Sequence, residues 1–250
     1  MKTPSIQLYY NDFNAITSPG FLTIRKSSRA KRLSIKVFPR GLVEVVSPKN
    51  KKNSEIYKFI VSQKDWIKKT REQFSKIYTQ EPFKLPNYIN LSGIGQQFNV
   101  DYVYKENVNS VKYQSKKGRI ILIGNIFDEE LCVSALKRWL ARLARSEFKN
   151  ILLQLSKQIG NSFHKLQIRG QRSCWGSYSS SGSLSLNYCL LFLNPIQLRY
   201  VIIHELCHVT HLNHSQKFWK LVERYEPNYK KLDSELNNSW DKIPVWLGIY

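Results

Sequence analysis

The sequence predicts an α+β fold, in which a mainly β N-terminal region carrying one helix precedes a core built from a functional helix and a small mixed sheet. Three observations predict it. Apolar residues alternate between positions 22 and 46, and they recur at helical spacing between 131 and 159. A capped apolar helix near Asn194 then leads into a segment holding four of the chain's five histidines. The boundary is expected at 125/126, giving a basic β-rich region over 1–125 and a core over 126–250.

Taken in order, Leu22 and Ile24, then Leu33, Ile35 and Val37, then Leu42, Val43 and Val45 alternate as strands do, with Pro39-Arg40-Gly41 as the turn between the last two runs. Arg25-Lys26-Ser27-Ser28-Arg29-Ala30-Lys31-Arg32 reads as a basic hairpin tip or strand edge. From Ser54, a candidate N-cap, the period becomes helical, and one helix over about 54–78 is expected with Ile56, Phe59, Ile60, Trp66 and Ile67 on one side. Glu81 to Pro86 reads as a linker, and residues 88–104 and 111–123 read as short strands. Asp128 caps a long helix whose first turn holds Glu129 and Glu130, where the helix dipole favours them, and Gly160-Asn161 ends it. His164 to Arg169 and Ser183 to Asn187 read as strands around a polar Gly/Ser loop. Asn194-Pro195-Ile196-Gln197 combines an N-cap, a proline at the first helical position and a polar residue able to close a capping box.

Composition narrows the functional classes. Hydrophobic residues make up 42% and charged residues 23% of the 250 positions, which favours neither disorder nor a membrane protein. No apolar leader follows Met1, the apolar stretch from Leu186 to Ile203 is interrupted by polar residues, and the four cysteines fall at no framework spacing. A cytoplasmic protein with reduced thiols, and no membrane partner, is the expectation. The net charge is +21, of which +16 falls in residues 1–150. A field of that size suits DNA, RNA or another acidic surface, with Arg25, Lys26, Arg29, Lys31 and Arg32 as candidate phosphate contacts. The plainer alternative is a solvated surface.

The segment His204-Glu205-Leu206-Cys207-His208, followed by His214, carries the chemistry. Positions i and i+4 lie one turn apart on the same helix face, so His204 and His208 can hold one metal ion. Glu205 lies about 100° around the helix, where its carboxylate reaches an activated water as general base rather than the ion itself. His214 is the third ligand of choice, which requires the helix to end near Leu212-Asn213, with Asn213 supplying a left-handed turn. A carboxylate from the next helix, Glu223 or Glu226, is the alternative. The expected cofactor is one Zn²⁺ per chain. His211 is assigned a supporting role, Cys207 a packed thiol and His164 a structural one.

These residues resemble the YgjP-like family of zinc metallopeptidases, related to the WLM and SprT-type proteases. The likeness rests on Trp175-Gly176-Ser177, Ser185-Leu186-Asn187, the His204 to His208 box, Asn213-His214-Ser215 with Phe218-Trp219, and Pro227-Asn228-Tyr229-Lys230-Lys231. Arg29 to Ile35, the Gly41 turn, Asp65-Trp66-Ile67 and the Gly95 region extend it into the N-terminal half. The resemblance implies a zincin-like catalytic core acting on peptides or proteins. The family usually reads Ser-Arg-Trp-Gly-Ser-Cys where this chain has Ser173-Cys174-Trp175-Gly176-Ser177-Tyr178, so the usual Arg and Cys are replaced. Arg172 or Arg169 is a candidate for the missing cation. Trp175, Gly176, Ser177 and Arg172 are the candidate substrate-binding residues, with packing of the loop as the other role for Trp175. Ser183 to Asn187 and the preceding loop are expected to offer a strand to an extended peptide. The competing class is a nucleic-acid-binding protein with a structural or vestigial zinc site. An interaction protein without catalysis is a third.

Overall fold

The computed structural model describes residues 22–28, 30–38, 43–77, 83–171 and 174–248, with the side chains of 74–77 excepted. Arg29, Arg172 and the Arg40-Gly41 turn lie outside the described residues. The fold is α+β, with six α-helices and three small mixed sheets among those residues. Contacts divide the chain into two units, 1–82 with 250, and 83–249.

In the first unit, β1 (Leu22–Ser27), β2 (Ser34–Val37) and β3 (Val43–Pro48) form a sheet of order β1-β3-β2. The β2–β3 pair is antiparallel, as the alternation predicts, but β1 lies parallel to β3 on its other side. The basic segment is therefore not the tip of a hairpin. It joins the two outer strands past the end of β3. Helices α1 (Asn53–Ser62) and α2 (Lys64–Ile77) replace the single helix expected over 54–78. The break falls at Gln63, beside Ser62, whose hydroxyl donates to the Phe59 carbonyl at 2.8 Å; such local bonds compete with the helix ladder. Lys52, not Ser54, is the N-cap, and its backbone N–H donates to the Glu55 carboxylate at 3.2 Å. Val43, Val45, Ile56, Ile60 and Ile67 form the buried core of this unit, whereas Trp66, on the expected apolar face, is 48% exposed.

The second unit begins with β4 (Tyr88–Leu91), β5 (Gln96–Tyr104), β6 (Val111–Lys116) and β7 (Arg119–Gly124), in the order β4-β5-β7-β6. These strands precede the boundary expected at 125/126, yet their inward side chains share one core with the histidine-bearing helix. The long α3 (Glu129–Ile159) is the reason. Trp139 meets Phe98 edge-on at 5.0 Å, while Phe148 and Leu152 extend the same core. Burying an aromatic or aliphatic side chain of this kind contributes roughly 1.5–3 kcal/mol, so cutting at 125/126 would expose a continuous apolar layer. The caps of α3 match the sequence, with the Asp128 carboxylate accepting from Leu131 N–H and Gly160 adopting φ +77°.

The third sheet positions the site. It contains β8 (Lys165–Arg169), β9 (Gly176–Tyr178) and β10 (Ser183–Asn187), in the order β8-β10-β9. β10 is parallel to β8 and antiparallel to β9, so its backbone is engaged on both sides. The strands with an outer edge are β8 and β9, not Ser183 to Asn187. Three further helices follow: α4 (Pro195–Cys207), α5 (Gln216–Tyr225) and α6 (Tyr229–Asn237).

Candidate metal centre

Asn194 caps α4 by accepting from Gln197 N–H at 2.7 Å, with Pro195 at the first position. The expected capping box is incomplete, because Gln197 Oε1 accepts no hydrogen bond, while its Nε2 donates to the Ser239 hydroxyl at 3.1 Å. The apolar run Leu198 to Ile203 is buried, which leaves His204 half-buried and Glu205 buried against the third sheet.

The helix stops at Cys207, earlier than the Leu212-Asn213 end expected, and His208 is its C-cap. The chain tightens there, with Val209 N–H donating to Leu206 O at 3.1 Å and Thr210 N–H to Cys207 O at 3.2 Å. These are i to i+3 bonds of the 3₁₀ kind. No left-handed residue is needed, and the only described non-glycine residue with positive φ is Asn107, so Asn213 does not play the part expected of it. The tightening returns the chain to the helix, and the ligand atoms of His204, His208 and His214 lie within 4.8 Å of one another. His204 Nε2 and His214 Nε2 are 3.0 Å apart.

The rings are held from several sides. Phe218, fully buried at the start of α5, stacks on His208 with centroids 4.4 Å apart and meets His204 edge-on at 5.0 Å. Ser215 caps α5 by accepting from Phe218 N–H, as its sequence position predicts. His208 Nδ1 lies 2.9 Å from the His211 carbonyl. A carbonyl only accepts, so Nδ1 carries the proton and Nε2 presents its lone pair. The supporting role expected of His211 thus falls to its backbone. The carboxylate alternative Glu226 is engaged elsewhere, paired with Arg199 at 2.9 Å, and Glu223 is exposed outside the cluster.

The electrostatics fit a cation. Burial, with His208 and His214 adding to it, lowers His204 to about 3, and burial lowers His208 as well, so both rings are neutral donors near pH 7. Burial raises Glu205 to about 8, and its Oε2 is a buried oxygen with no hydrogen-bond partner. Three converging imidazoles, two of them held neutral by burial, and an orphaned carboxylate oxygen are a donor set suited to a divalent ion with a water beside it. Burial pushes Cys207 up to about 12, in keeping with a packed thiol. His164 lies outside the cluster, its ring packed near Gly182.

The candidate substrate residues divide. Gly176 touches Glu205, and a Cβ placed on it would lie 2.6 Å from Oε1. Trp175 stacks on Trp240 at 3.9 Å and donates from Nε1 to Leu236 O at 3.2 Å, so it packs the loop and also lines the cavity beside Glu205. Ser177 is exposed on β9. In place of the family's usual Arg, the Cys174 thiol donates to the Gly176 carbonyl. Arg169, the other candidate cation, bonds to Gln167 on its own strand.

Asn187 is the organiser that sequence reasoning passed over. Fully buried, it donates to the Gln171 and Cys174 carbonyls at 2.8 and 2.9 Å, while its backbone N–H donates to Trp175 O at 2.9 Å. A polar residue ending an apolar strand, just before a 3₁₀ turn, was the available signal.

Of the nucleic-acid candidates, Lys26, Lys31 and Arg32 are exposed, and Arg25 pairs with Glu44 at 3.1 Å. No helix among the described residues is long and apolar enough to cross a membrane.

No curated protein matches the chain. Among solved structures, the crystal structure of the metallopeptidase zymogen of Pyrococcus abyssi abylysin is similar at 24% identity and a TM-score of 0.34, covering 36% of this chain and 92% of that one. The YgjP-like metallopeptidase domain matches residues 31–239, from before β2, through the histidine cluster, to beyond α6. With more than half its length inside that match, the chain belongs to the YgjP-like metallopeptidase family.

Proposed function

We propose that the chain is a zinc-dependent peptidase, with His204, His208 and His214 holding one ion and Glu205 acting as general base. The observation that carries this reading is the convergence of three imidazole donors beside a buried carboxylate oxygen that has no partner. A zinc ion at such a centre acidifies water and polarises the carbonyl to be cleaved. Glu205 takes the proton and passes it to the leaving amine. An extended peptide adds to the outer edge of β9, where backbone groups hold it beside α4. Backbone N–H groups, with Arg172 as a side-chain candidate, stabilise the developing oxyanion, a contribution of roughly 2.7–4 kcal/mol per donor.

Elemental analysis and turnover of three proteins test the assignment together. Wild type is expected to hold one zinc ion per chain and His208→Ala to lose it. Glu205→Gln is expected to keep the ion while turnover falls by roughly 10²-fold or more. Full zinc retention in His208→Ala, or zinc loss in Glu205→Gln, overturns these roles.

A second activity, nucleic-acid association through the N-terminal unit, is favoured by one observation. Trp66 is exposed on α2 with Lys68 and Lys69 exposed nearby, and Lys26 and Tyr57 line a groove of about 440 Å³. Aromatic faces interleaved with cations suit stacked bases and phosphates. The two activities are compatible, with cleavage in one unit and recruitment in the other.

A further inference from the structure

A cavity of about 160 Å³ adjoins Glu205 and His204, walled by Trp175, Tyr200 and Leu236 and bordered by Asp233. Its walls are braced from outside. Trp175 is fixed by Trp240 and by the Leu236 carbonyl, and the Tyr200 hydroxyl donates to Asp233 Oδ1 at 3.0 Å. The cavity thus combines aromatic and aliphatic walls with one carboxylate besides Glu205. In a chain of 39 Lys and Arg residues, no described basic residue forms an ion pair with that carboxylate.

We propose that this pocket receives a lysine or arginine side chain of the substrate, adjacent to the bond that is cut, with Asp233 as the specificity-determining residue. The proposal rests on the peptidase reading. Lysine and arginine join an apolar stem to a cationic head, and the pocket offers rings and Leu236 for the stem and the exposed Asp233 carboxylate at its border for the head. A purely aliphatic side chain would leave the Asp233 carboxylate unpaired, and an acidic one would meet like charge. The Tyr200 hydroxyl engages Oδ1 of Asp233, an exposed residue at the border of the cavity, and leaves the other oxygen for the incoming cation. The chain's overall positive charge opposes a basic peptide at long range. That opposition is screened beyond about 8 Å at physiological ionic strength, whereas contact with Asp233 acts within the pocket.

The test has a cleavage arm and a binding arm. In the first, a peptide mixture containing all residue types is digested and the residues flanking the cut bonds are read by mass spectrometry. Lysine and arginine are expected to be enriched at one flanking position. In Asp233→Asn the preference for lysine over norleucine is expected to fall about twofold to fivefold, as for loss of an exposed charge pair. In Asp233→Lys it should reverse towards glutamate. In the second arm, Glu205→Gln protein is titrated with matched lysine and norleucine peptides. Tighter binding of the lysine peptide, abolished by adding Asp233→Asn, is expected. Thermal melting of each variant separates loss of preference from loss of fold, and Tyr200→Phe is a second variant that weakens the brace while retaining the ring. Lysine-selective binding without any cleavage would keep the pocket and remove the peptidase reading. Cleavage without basic enrichment, or equal binding of the two peptides, overturns the proposal.

Discussion

Gly176 and Glu205 lie far apart in sequence and within contact distance in the fold. A Cβ on Gly176 would come within 2.6 Å of Oε1, 2.7 Å of Cγ and 2.9 Å of Cδ of Glu205, closer than real side chains approach. Glu205 is 5% exposed and cannot yield outward, so a methyl group at position 176 must displace the carboxylate or the strand. Gly176→Ala is therefore expected to retain zinc while turnover falls on the order of 10²-fold, the cost of misplacing a catalytic group by about an ångström. Zinc content and kcat measured on the same preparation check this; full turnover with bound zinc would show that β9 does not position Glu205. At this scale the sequence was legible where chemistry depends on local spacing. His204, Glu205 and His208 follow from helix periodicity, whereas the Gly176 and Asn187 contacts arise from tertiary packing that no local pattern encodes.

Elements were legible through their ends. Asp128, Gly160, Asn194 and Ser215 each cap the helix their position predicts. Three features were not legible: the parallel pairing of β1, the break at Gln63 and the early end of α4. Each depends on which of several local bonds wins once the chain is packed. The end of α4 has its own clamp. Asn161, just after α3, donates from Nδ2 to the Leu206 carbonyl at 2.9 Å and accepts from the Thr210 hydroxyl at 3.1 Å. It thereby gives a second donor to the Leu206 carbonyl, which already accepts from Val209 N–H, and ties the histidine-bearing turn to α3. Asn161→Ala is expected to lower unfolding free energy by about 0.5–1.5 kcal/mol and to weaken zinc retention. Urea unfolding of the zinc-free protein isolates the first effect, and competition with a chelator reads the second. Unchanged chelator competition would mean that the turn keeps its shape without this clamp.

At the scale of the whole molecule, charge is the property that the peptidase centre leaves unexplained. Residues 1–82 hold 17 Lys and Arg against 6 Asp and Glu, a large excess for a unit whose core is small. Arg25 is partly neutralised by Glu44, so the exposed Lys26, Lys31 and Arg32 are the better phosphate contacts. If all three make such contacts, binding to duplex DNA should weaken with salt at a slope of about −0.9 per contact, and less steeply on single strands. The triple substitution Lys26→Gln, Lys31→Gln, Arg32→Gln should flatten the duplex slope by roughly 2–3. Arg25 is kept in that variant, because removing it would also unpair Glu44 on β3. Trp66→Ala should weaken binding to single strands more than to duplex, since an exposed ring stacks on unpaired bases. Zinc content and cleavage of a short free peptide should survive both changes, because His204, His208, His214 and Glu205 belong to the other unit. Cleavage of a DNA-bound protein should lose its stimulation. Wild-type binding that is absent, or indifferent to salt, would reduce the basic surface to solvation and leave peptide cleavage without a nucleic-acid partner.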